Sequence, residues 1–251
     1  MKLELKKNML CYPLFECGKD EICKKISNTK NSDIKLYELR IDYMLNKGQD
    51  IDDIICDINY IKRKFSKLKF ISTIRTKSEG GLIGLSGDKY YAYVEKLFKF
   101  SKTDFVDIEF KYYKKYKKEF EKILNKTNKK IIISKHIFDD DFSENSIKRY
   151  IEESIFYKGD CVKLAILVIN KNSFYELVSI IKKYENLLKK AKKEPLFIAM
   201  GKDGVLSRIL PEIFNTKIVF LNAYNKVNKL GQISYTSYIK YRKLLAKKLI
   251  N

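Results

Sequence analysis

The chain has 251 residues, of which 45% are apolar and 33% charged, enough to form a sizeable core and too apolar for intrinsic disorder. Its formal charge of +21, from 52 basic and 31 acidic residues, attracts anions, whether nucleic acid or a small carboxylate. The lysines are spread over nearly every predicted helix, and no nucleic-acid-binding motif accompanies them. The charge therefore predicts an anionic partner and no specific nucleic acid.

The cysteine and histidine content bears on location and on metal binding. Five cysteines without paired spacing predict reduced thiols in a cytoplasmic protein. No apolar run is long enough to span a bilayer, and the lysine-rich N-terminus has no signal-peptide core, so we expect a cytoplasmic protein without membrane contact. With one histidine and no CxxC pair, we expect no Cys/His zinc site.

Eight apolar runs of strand character alternate with eight amphipathic segments. The predicted strands are Met9–Leu14, Lys35–Ile41, Lys69–Arg75, Phe105–Phe110, Lys130–Lys135, Cys161–Leu167, Leu196–Met200 and Lys217–Leu221. The predicted helices are Lys19–Ser27, Ile51–Phe65, Lys89–Phe100, Tyr112–Leu124, Glu144–Tyr157, Ser173–Lys190, Asp203–Phe214 and Ile233–Leu249. Eight such units predict an α/β protein, a (β/α)8 TIM barrel with residues 1–251 as one catalytic domain. An open doubly wound sheet is the alternative, but the glycine fingerprint expected after its first strand is absent.

Barrel enzymes place their chemistry at the C-terminal ends of the strands. In this sequence, the ends of strands 2 to 6 carry Glu38 and Arg40, Arg75, Glu109, His136 and Lys163. Ionisable residues at five successive strand ends are hard to attribute to solubility alone. Glu38 and Arg40 are two residues apart, so both side chains are expected on the same side of strand 2. The last two strands end near Met200 and Phe220.

Lys163 lies within the apolar, β-branched run Cys161–Leu167, which predicts a buried strand. Burial favours a neutral amine, the form that attacks a carbonyl carbon. The alternative is a lysine at a strand end that reaches solvent or pairs with a carboxylate. His136, the only histidine, ends the preceding strand and can act as a base near neutrality. An amine nucleophile beside such a base is what carbonyl chemistry through an iminium ion requires.

Six motifs resemble type I 3-dehydroquinate dehydratase, the Schiff-base-forming family of the shikimate pathway, and they follow the family's order along most of the chain. They are Glu38–Asp42, Thr73–Gly81, Ser134–His136, Val162–Ala165, Met200–Arg208 and Gly231–Ile233. Each motif is weak evidence alone, whereas six in register are specific. Two positions depart from the family pattern: Asn228 replaces the usual serine, and Ile198 replaces a methionine often found before Met200.

The resemblance implies dehydration of 3-dehydroquinate to 3-dehydroshikimate in aromatic amino acid biosynthesis, without metal or cofactor. Lys163 would form an imine with the ring ketone, His136 would carry the proton transfers, and Glu79 would orient the histidine. The remaining residues implied at the substrate are Glu38, Arg40, Arg75, Arg208, Gln232, Asn228, Met200 and Phe220. Because family members are commonly dimers, we also expect a homodimer.

The implied roles of the substrate residues differ by chemistry. Arg208 and Gln232 would hold the substrate carboxylate, since a planar guanidinium offers two parallel hydrogen bonds to it. Glu38, Arg40 and Arg75 match positions around the substrate hydroxyls, and Met200 and Phe220 match an apolar wall. Asn228 offers both donor and acceptor atoms and could replace the serine hydroxyl during closure over the substrate.

Two other function classes stay open from the sequence. Another Schiff-base barrel enzyme, such as an aldolase, would share the lysine of strand 6 but not the set formed by Arg75, Glu79, Arg208 and Gln232. A non-enzymatic basic protein would bind nucleic acid through its many lysines. A barrel that has kept the fold and lost its activity is also compatible with the sequence.

Overall fold

A computed structural model describes residues 8–29, 33–139, 142–223 and 230–250 of the protein. The strands of these residues are β1 (Met9–Leu14), β2 (Ile34–Arg40), β3 (Lys69–Thr73), β4 (Phe105–Glu109), β5 (Lys130–Ile137), β6 (Cys161–Leu167), β7 (Glu194–Met200) and β8 (Ile218–Phe220). Their helices are α1 (Lys19–Asn28), α2 (Ile41–Asn46), α3 (Ile51–Lys64), α4 (Gly87–Phe100), α5 (Phe110–Lys115), α6 (Lys117–Leu124), α7 (Glu144–Ile155), α8 (Lys171–Lys190), α9 (Leu206–Ile209) and α10 (Tyr235–Ile250). Two short 3₁₀ helices cover Lys77–Glu79 and Pro211–Phe214.

The strands of the described residues form one sheet in the order β7-β6-β5-β4-β3-β2-β1-β8. Strands that follow one another in the chain are therefore neighbours, and the first strand pairs in parallel with the last through Met9 and Ile218. Helices alternate with these strands. The predicted (β/α)8 class is confirmed, and the doubly wound alternative is wrong because its strand order would reverse at a switch point.

Packing divides the chain into two compact units. The first unit comprises Met1–Tyr12, His136–Phe156 and Val162–Asn251, and the second comprises Pro13–Lys135 and Tyr157–Cys161. No helix in the described ranges has the length and apolar character needed to cross a bilayer. The expectation that residues 1–251 act as a single catalytic domain stays a prediction.

Helix α3 shows how the sequence sets a local element. Its isoleucines at positions 51, 54, 55, 58 and 61 recur at helical spacing, and all five are buried. Asp50 caps the N-terminus by accepting a hydrogen bond from the backbone N–H of Asp52, and basic residues occupy the last turn. The predicted helix over Ile51–Phe65 is confirmed to within one residue.

Two predicted helices are wrong in extent, each for a local reason. The single helix predicted over Tyr112–Leu124 is divided into α5 and α6 at Tyr116, whose backbone leaves the helical region and whose hydroxyl donates to Asp88. The helix predicted over Asp203–Phe214 is reduced to α9 and a 3₁₀ helix, because Pro211 disfavours a helical conformation at Leu210.

A cavity of about 470 Å³ in the second unit lies beside the first residues of β3, β4 and β5 and is lined by Lys69, Lys102, Lys129 and Lys130. The predicted site residues are not among those that line it. Lys129 donates to the carbonyl of Phe98 in the last turn of α4, at 3.0 Å. Cations are favoured where helices end, so part of the positive charge of the chain has a structural role.

Candidate active site

Lys163 is buried in the middle of β6 in the first unit, with only 4% of its surface exposed. Its Nζ lies 4.2 Å from the centre of the Phe220 ring on β8. Its backbone carbonyl accepts a 2.8 Å hydrogen bond from the Tyr150 hydroxyl on α7, which fixes this part of the strand. The predicted buried strand Cys161–Leu167 is confirmed, and the alternative of a lysine that reaches solvent is wrong.

His136 is part of β5, which continues to Ile137 and so extends two residues beyond its predicted end. The imidazole is partly exposed and stacks on Phe138, with ring centres 6.4 Å apart. β5 and β6 are neighbours in the sheet, so His136 and Lys163 are carried by adjacent strands, within the same unit. An accessible base on the strand beside the one that carries a buried amine is a suitable arrangement for imine chemistry.

Arg208 lies on the short helix α9 of the first unit and is 5% exposed. Its Nη1 donates to the carbonyl of Phe220 at 3.2 Å, and its Nη2 donates to the carbonyl of Leu230 at 3.4 Å. Its buried Nε has no hydrogen-bond partner among the residues that the structure describes. Burial lowers the pKa of Arg208 to about 10. A buried guanidinium with an unsatisfied N–H favours the binding of an anion.

The other predicted residues of the first unit lie at strand ends or before the last helix. Met200 and Phe220 are buried at the ends of β7 and β8, and their role as an apolar wall at the substrate stays a prediction. Gln232 is partly exposed between Gly231 and the buried Ile233. Gly231 has a φ of 71°, and a Cβ at this position would overlap the carbonyl oxygen of Gly201, so glycine is required there.

Asn228 lies outside the described residues, as does most of the loop that the sequence analysis associates with substrate closure. Its predicted role stays a prediction.

In the second unit, Arg75 is surrounded by carboxylates. Its Nη2 lies 2.9 Å from Asp107, and its Nη1 lies 3.2 Å from Glu79 and 3.5 Å from Glu109. Nη1 also donates to the Ser134 hydroxyl at 2.9 Å. Burial would lower the pKa of Arg75, but the surrounding carboxylates raise it above its ordinary value. Arg75 therefore has several protein counter-charges, whereas no ion pair of Arg208 is found within the part of the chain that the structure describes.

Glu79 is buried at the end of a 3₁₀ helix. Although Arg75 is close to it, burial and the neighbouring Glu109 and Asp107 raise the pKa of Glu79 to about 8. The cluster thus favours a proton on one carboxyl group near neutrality, because several carboxylates share one guanidinium.

This raised pKa leads to a prediction for Glu79→Gln, which keeps the shape of a protonated glutamic acid. The stability contributed by protonated Glu79 is present below its ordinary pKa and is lost as the pH rises through about 8. The variant should therefore gain stability relative to the original protein between about pH 5 and about pH 9. Urea unfolding of both proteins across this range measures the difference. Glu119→Gln, at an exposed position on α6, is the control, and a difference that does not vary with pH would contradict the prediction.

Glu38 and Arg40 are both engaged within the second unit. The carboxylate of Glu38 accepts a 2.9 Å hydrogen bond from the Thr73 hydroxyl on β3. Arg40 forms a bidentate ion pair with Asp42, with Nε–Oδ1 and Nη2–Oδ2 distances of 2.9 and 2.8 Å. Asp42 also accepts a hydrogen bond from the backbone N–H of Leu82. This pair joins the end of β2 to the segment that follows Glu79.

Asp107 and Ser134 are not among the site residues predicted from the sequence, although both contact Arg75. Ser134 also donates a 2.5 Å hydrogen bond to Asp107. A signal was available, since Asp107 and Glu109 are two acidic residues on one face of the otherwise apolar β4. Their burial at 1% and 0% exposure would be costly without such partners.

Comparison with known proteins identifies the family. A family model described as Type I 3-dehydroquinase matches residues 10–247. The chain belongs to the type I 3-dehydroquinase family. The resemblance deduced from the six motifs is confirmed, and so is the predicted enzyme class, a hydro-lyase.

Members of the family with related sequences cover most of the chain. The 3-dehydroquinate dehydratase of Streptococcus pneumoniae (strain ATCC 700669 / Spain 23F-1) is 28% identical over 193 residues, which cover 77% of this chain and 80% of that protein. The 3-dehydroquinate dehydratase of Alkaliphilus oremlandii is 27% identical over 218 residues, which cover 85% and 83%.

Solved structures share the fold. The type I 3-dehydroquinate dehydratase of Clostridium difficile aligns with a TM-score of 0.84 and 22% identity, covering 96% of this chain and 93% of that one. The 3-dehydroquinate dehydratase of Enterococcus faecalis aligns with a TM-score of 0.81 and 21% identity, covering 95% of each chain. At these identities the likeness supports the (β/α)8 fold alone.

Proposed function

We propose that the protein dehydrates 3-dehydroquinate to 3-dehydroshikimate, a step of aromatic amino acid biosynthesis, through an imine formed on Lys163. Membership of the type I 3-dehydroquinase family supports the reaction. The observation that carries the mechanism is a lysine buried at 4% exposure in β6, against an aromatic ring. A lysine is seldom buried in this way without a function or a partner.

In the proposed reaction, Nζ of Lys163 attacks the ring ketone of the substrate, and water leaves to form the imine. The protonated imine withdraws electrons from the neighbouring carbon, which then loses a proton more readily. His136 takes this proton and donates one to the departing hydroxyl group. Hydrolysis of the imine releases 3-dehydroshikimate and regenerates the amine of Lys163.

Arg208 is proposed to hold the substrate carboxylate, with Gln232 beside it. The unsatisfied Nε of Arg208 and the burial of its guanidinium support this role, because a bound carboxylate would supply the missing charge and acceptor. Phe220 accepts a hydrogen bond from Arg208 through its carbonyl and contacts Lys163 through its ring. It thereby links the proposed anion site to the nucleophile.

The roles implied for Glu38, Arg40, Arg75 and Glu79 stay predictions. So do the homodimer, the cytoplasmic location and the single catalytic domain, which rest on the family resemblance and the sequence composition. Analytical ultracentrifugation would test the homodimer.

Arg208→Met is expected to raise KM for 3-dehydroquinate by roughly 10–100-fold with a smaller change in kcat, because a charge-assisted hydrogen bond to the substrate is lost. Steady-state kinetics measures both constants. Arg149→Met is a matched control, since Arg149 is exposed on α7 of the same unit and pairs with Glu153. An unchanged KM for Arg208→Met would contradict the proposed carboxylate site.

The proposed activity is tested by following absorbance of the enone product after addition of 3-dehydroquinate. We expect turnover that is unchanged by a metal chelator, because the imine itself supplies the electron sink. If 3-dehydroquinate were inert, the proposed function would be wrong. Cleavage of an aldol substrate by the same lysine would then favour the aldolase class.

A further inference from the structure

The position of Arg208 depends on contacts outside its own helix. Helix α9 has only four residues, too few for a helix to be stable by itself. On its N-terminal side, the Ser207 hydroxyl accepts a hydrogen bond from the backbone N–H of Ala199 on β7 at 3.1 Å and donates one to the carbonyl of Gly204 at 2.8 Å. These bonds fix the start of α9 and leave its C-terminal end to other contacts.

The C-terminal end of α9 is held by Arg242 of α10. Nη1 and Nη2 of Arg242 each lie 2.9 Å from one carboxylate oxygen of Glu212, in the 3₁₀ helix that follows α9. Nη1 also donates to the backbone carbonyl of Ile209, the residue next to Arg208, at 3.3 Å. The side chains of Arg242 and Glu212 are 12% and 8% exposed. A bidentate pair of this kind restricts both partners in orientation as well as distance.

We propose that the Arg242–Glu212 pair is a positioning device for the anion-binding guanidinium of Arg208. This inference rests on the proposed function, in which Arg208 binds the substrate carboxylate. The pair contacts the chain immediately after Arg208, and among the described residues the guanidinium of Arg208 is directed by two bonds to backbone carbonyls. Because binding geometry must be held within a fraction of an ångström, a small shift of α9 would weaken carboxylate binding.

A mainly stabilising role accounts less well for the pair. Removing charges from water is costly, so a largely buried ion pair contributes little net stability compared with apolar residues of similar size. What it supplies is a fixed geometry between α10 and the segment after Arg208. The inference therefore predicts a change in KM, with the acid–base and imine steps on β5 and β6 left unchanged.

The test uses Arg242→Gln, Glu212→Gln, Arg208→Met and the double variant Arg242→Gln/Arg208→Met, with Arg149→Gln as the control for loss of an arginine. We expect Arg242→Gln and Glu212→Gln each to raise KM by about 3–10-fold with kcat changed less than about twofold. In the double variant, KM should be no higher than for Arg208→Met alone, because the pair acts through Arg208. Arg242→Lys, which keeps a single charge contact, should recover part of the loss.

The outcomes separate this inference from the proposed function. If Arg208→Met raised KM but a folded Arg242→Gln or Glu212→Gln did not, the positioning inference alone would be overturned. The positioning inference would also be overturned if the increase in KM of the double variant equalled the product of the increases in the two single variants. Such a result would show that Arg242 acts independently of Arg208. An unchanged KM in Arg208→Met would instead remove the carboxylate-binding role on which the inference rests. If Arg242→Gln does not fold, the KM values of Glu212→Gln and Arg242→Lys are compared with that of Arg208→Met instead.

Discussion

Lys163→Met is expected to lose at least about 10⁴-fold in turnover while the protein stays folded. The methionine keeps most of the side-chain volume against the Phe220 ring, so packing in β6 should be retained. The variant has no amine, however, and cannot form the imine. Removing a buried polar group also relieves a desolvation cost, so thermal unfolding should not occur at a much lower temperature.

The control for this variant is Lys171→Met, which removes an exposed lysine at the start of α8 in the same unit. It should retain the turnover of the original protein. Lys163→Ala should be as inactive as Lys163→Met, although it also leaves a small cavity. Turnover above background in a folded Lys163→Met would contradict the Schiff-base mechanism.

The second large effect is expected for His136→Ala. Imine formation should still occur, because Lys163 remains, but elimination should slow by roughly 10²–10⁴-fold, the usual contribution of a positioned acid–base group. The covalent adduct should therefore accumulate in single-turnover experiments. Rapid quenching followed by mass spectrometry of the intact protein measures the adduct, and product absorbance measures elimination.

Phe138→Leu provides the control for His136→Ala, since it removes the ring that stacks on the imidazole and leaves the imidazole in place. It should change the elimination rate much less than His136→Ala does. An elimination rate that is unimpaired in His136→Ala would assign the proton transfers to another group.

Much of the fold follows from local patterns in the sequence. The sequence predicts β6 with the bounds that the structure has, because a short apolar β-branched run bounded by polar residues favours a buried strand. The sequence does not predict the short helix α2, directly after β2. Its six residues contain too few periods to be recognised, and tertiary contacts decide whether such a segment is helical.

The candidate site could be predicted only where a residue's place along a strand determines its role. The sequence places Lys163 and His136 on neighbouring strands in this way, and their catalytic roles stay predictions. The cluster around Arg75 was found only in part, because it depends on which residues pair across strands: Thr73 pairs with Asp107 on β4, and Glu109 pairs with Ser134 on β5. The register between paired strands is set by packing of the whole sheet, so the sequence of a single strand does not predict it.

The Arg242–Glu212 pair could not be predicted from the sequence. Its members are 30 residues apart, on separate elements, and neither belongs to a recognised motif. Either one alone has the appearance of an ordinary charged residue on a helix surface.

The most direct test of the proposed imine on Lys163 is reduction with borohydride during turnover of 3-dehydroquinate. Reduction converts the imine to a stable secondary amine, which attaches the ligand irreversibly to the protein. Peptide mass spectrometry should then find the added mass on the peptide that contains Lys163, and Lys163→Met should acquire none. Labelling at another lysine, or no labelling by an active protein, would contradict the mechanism.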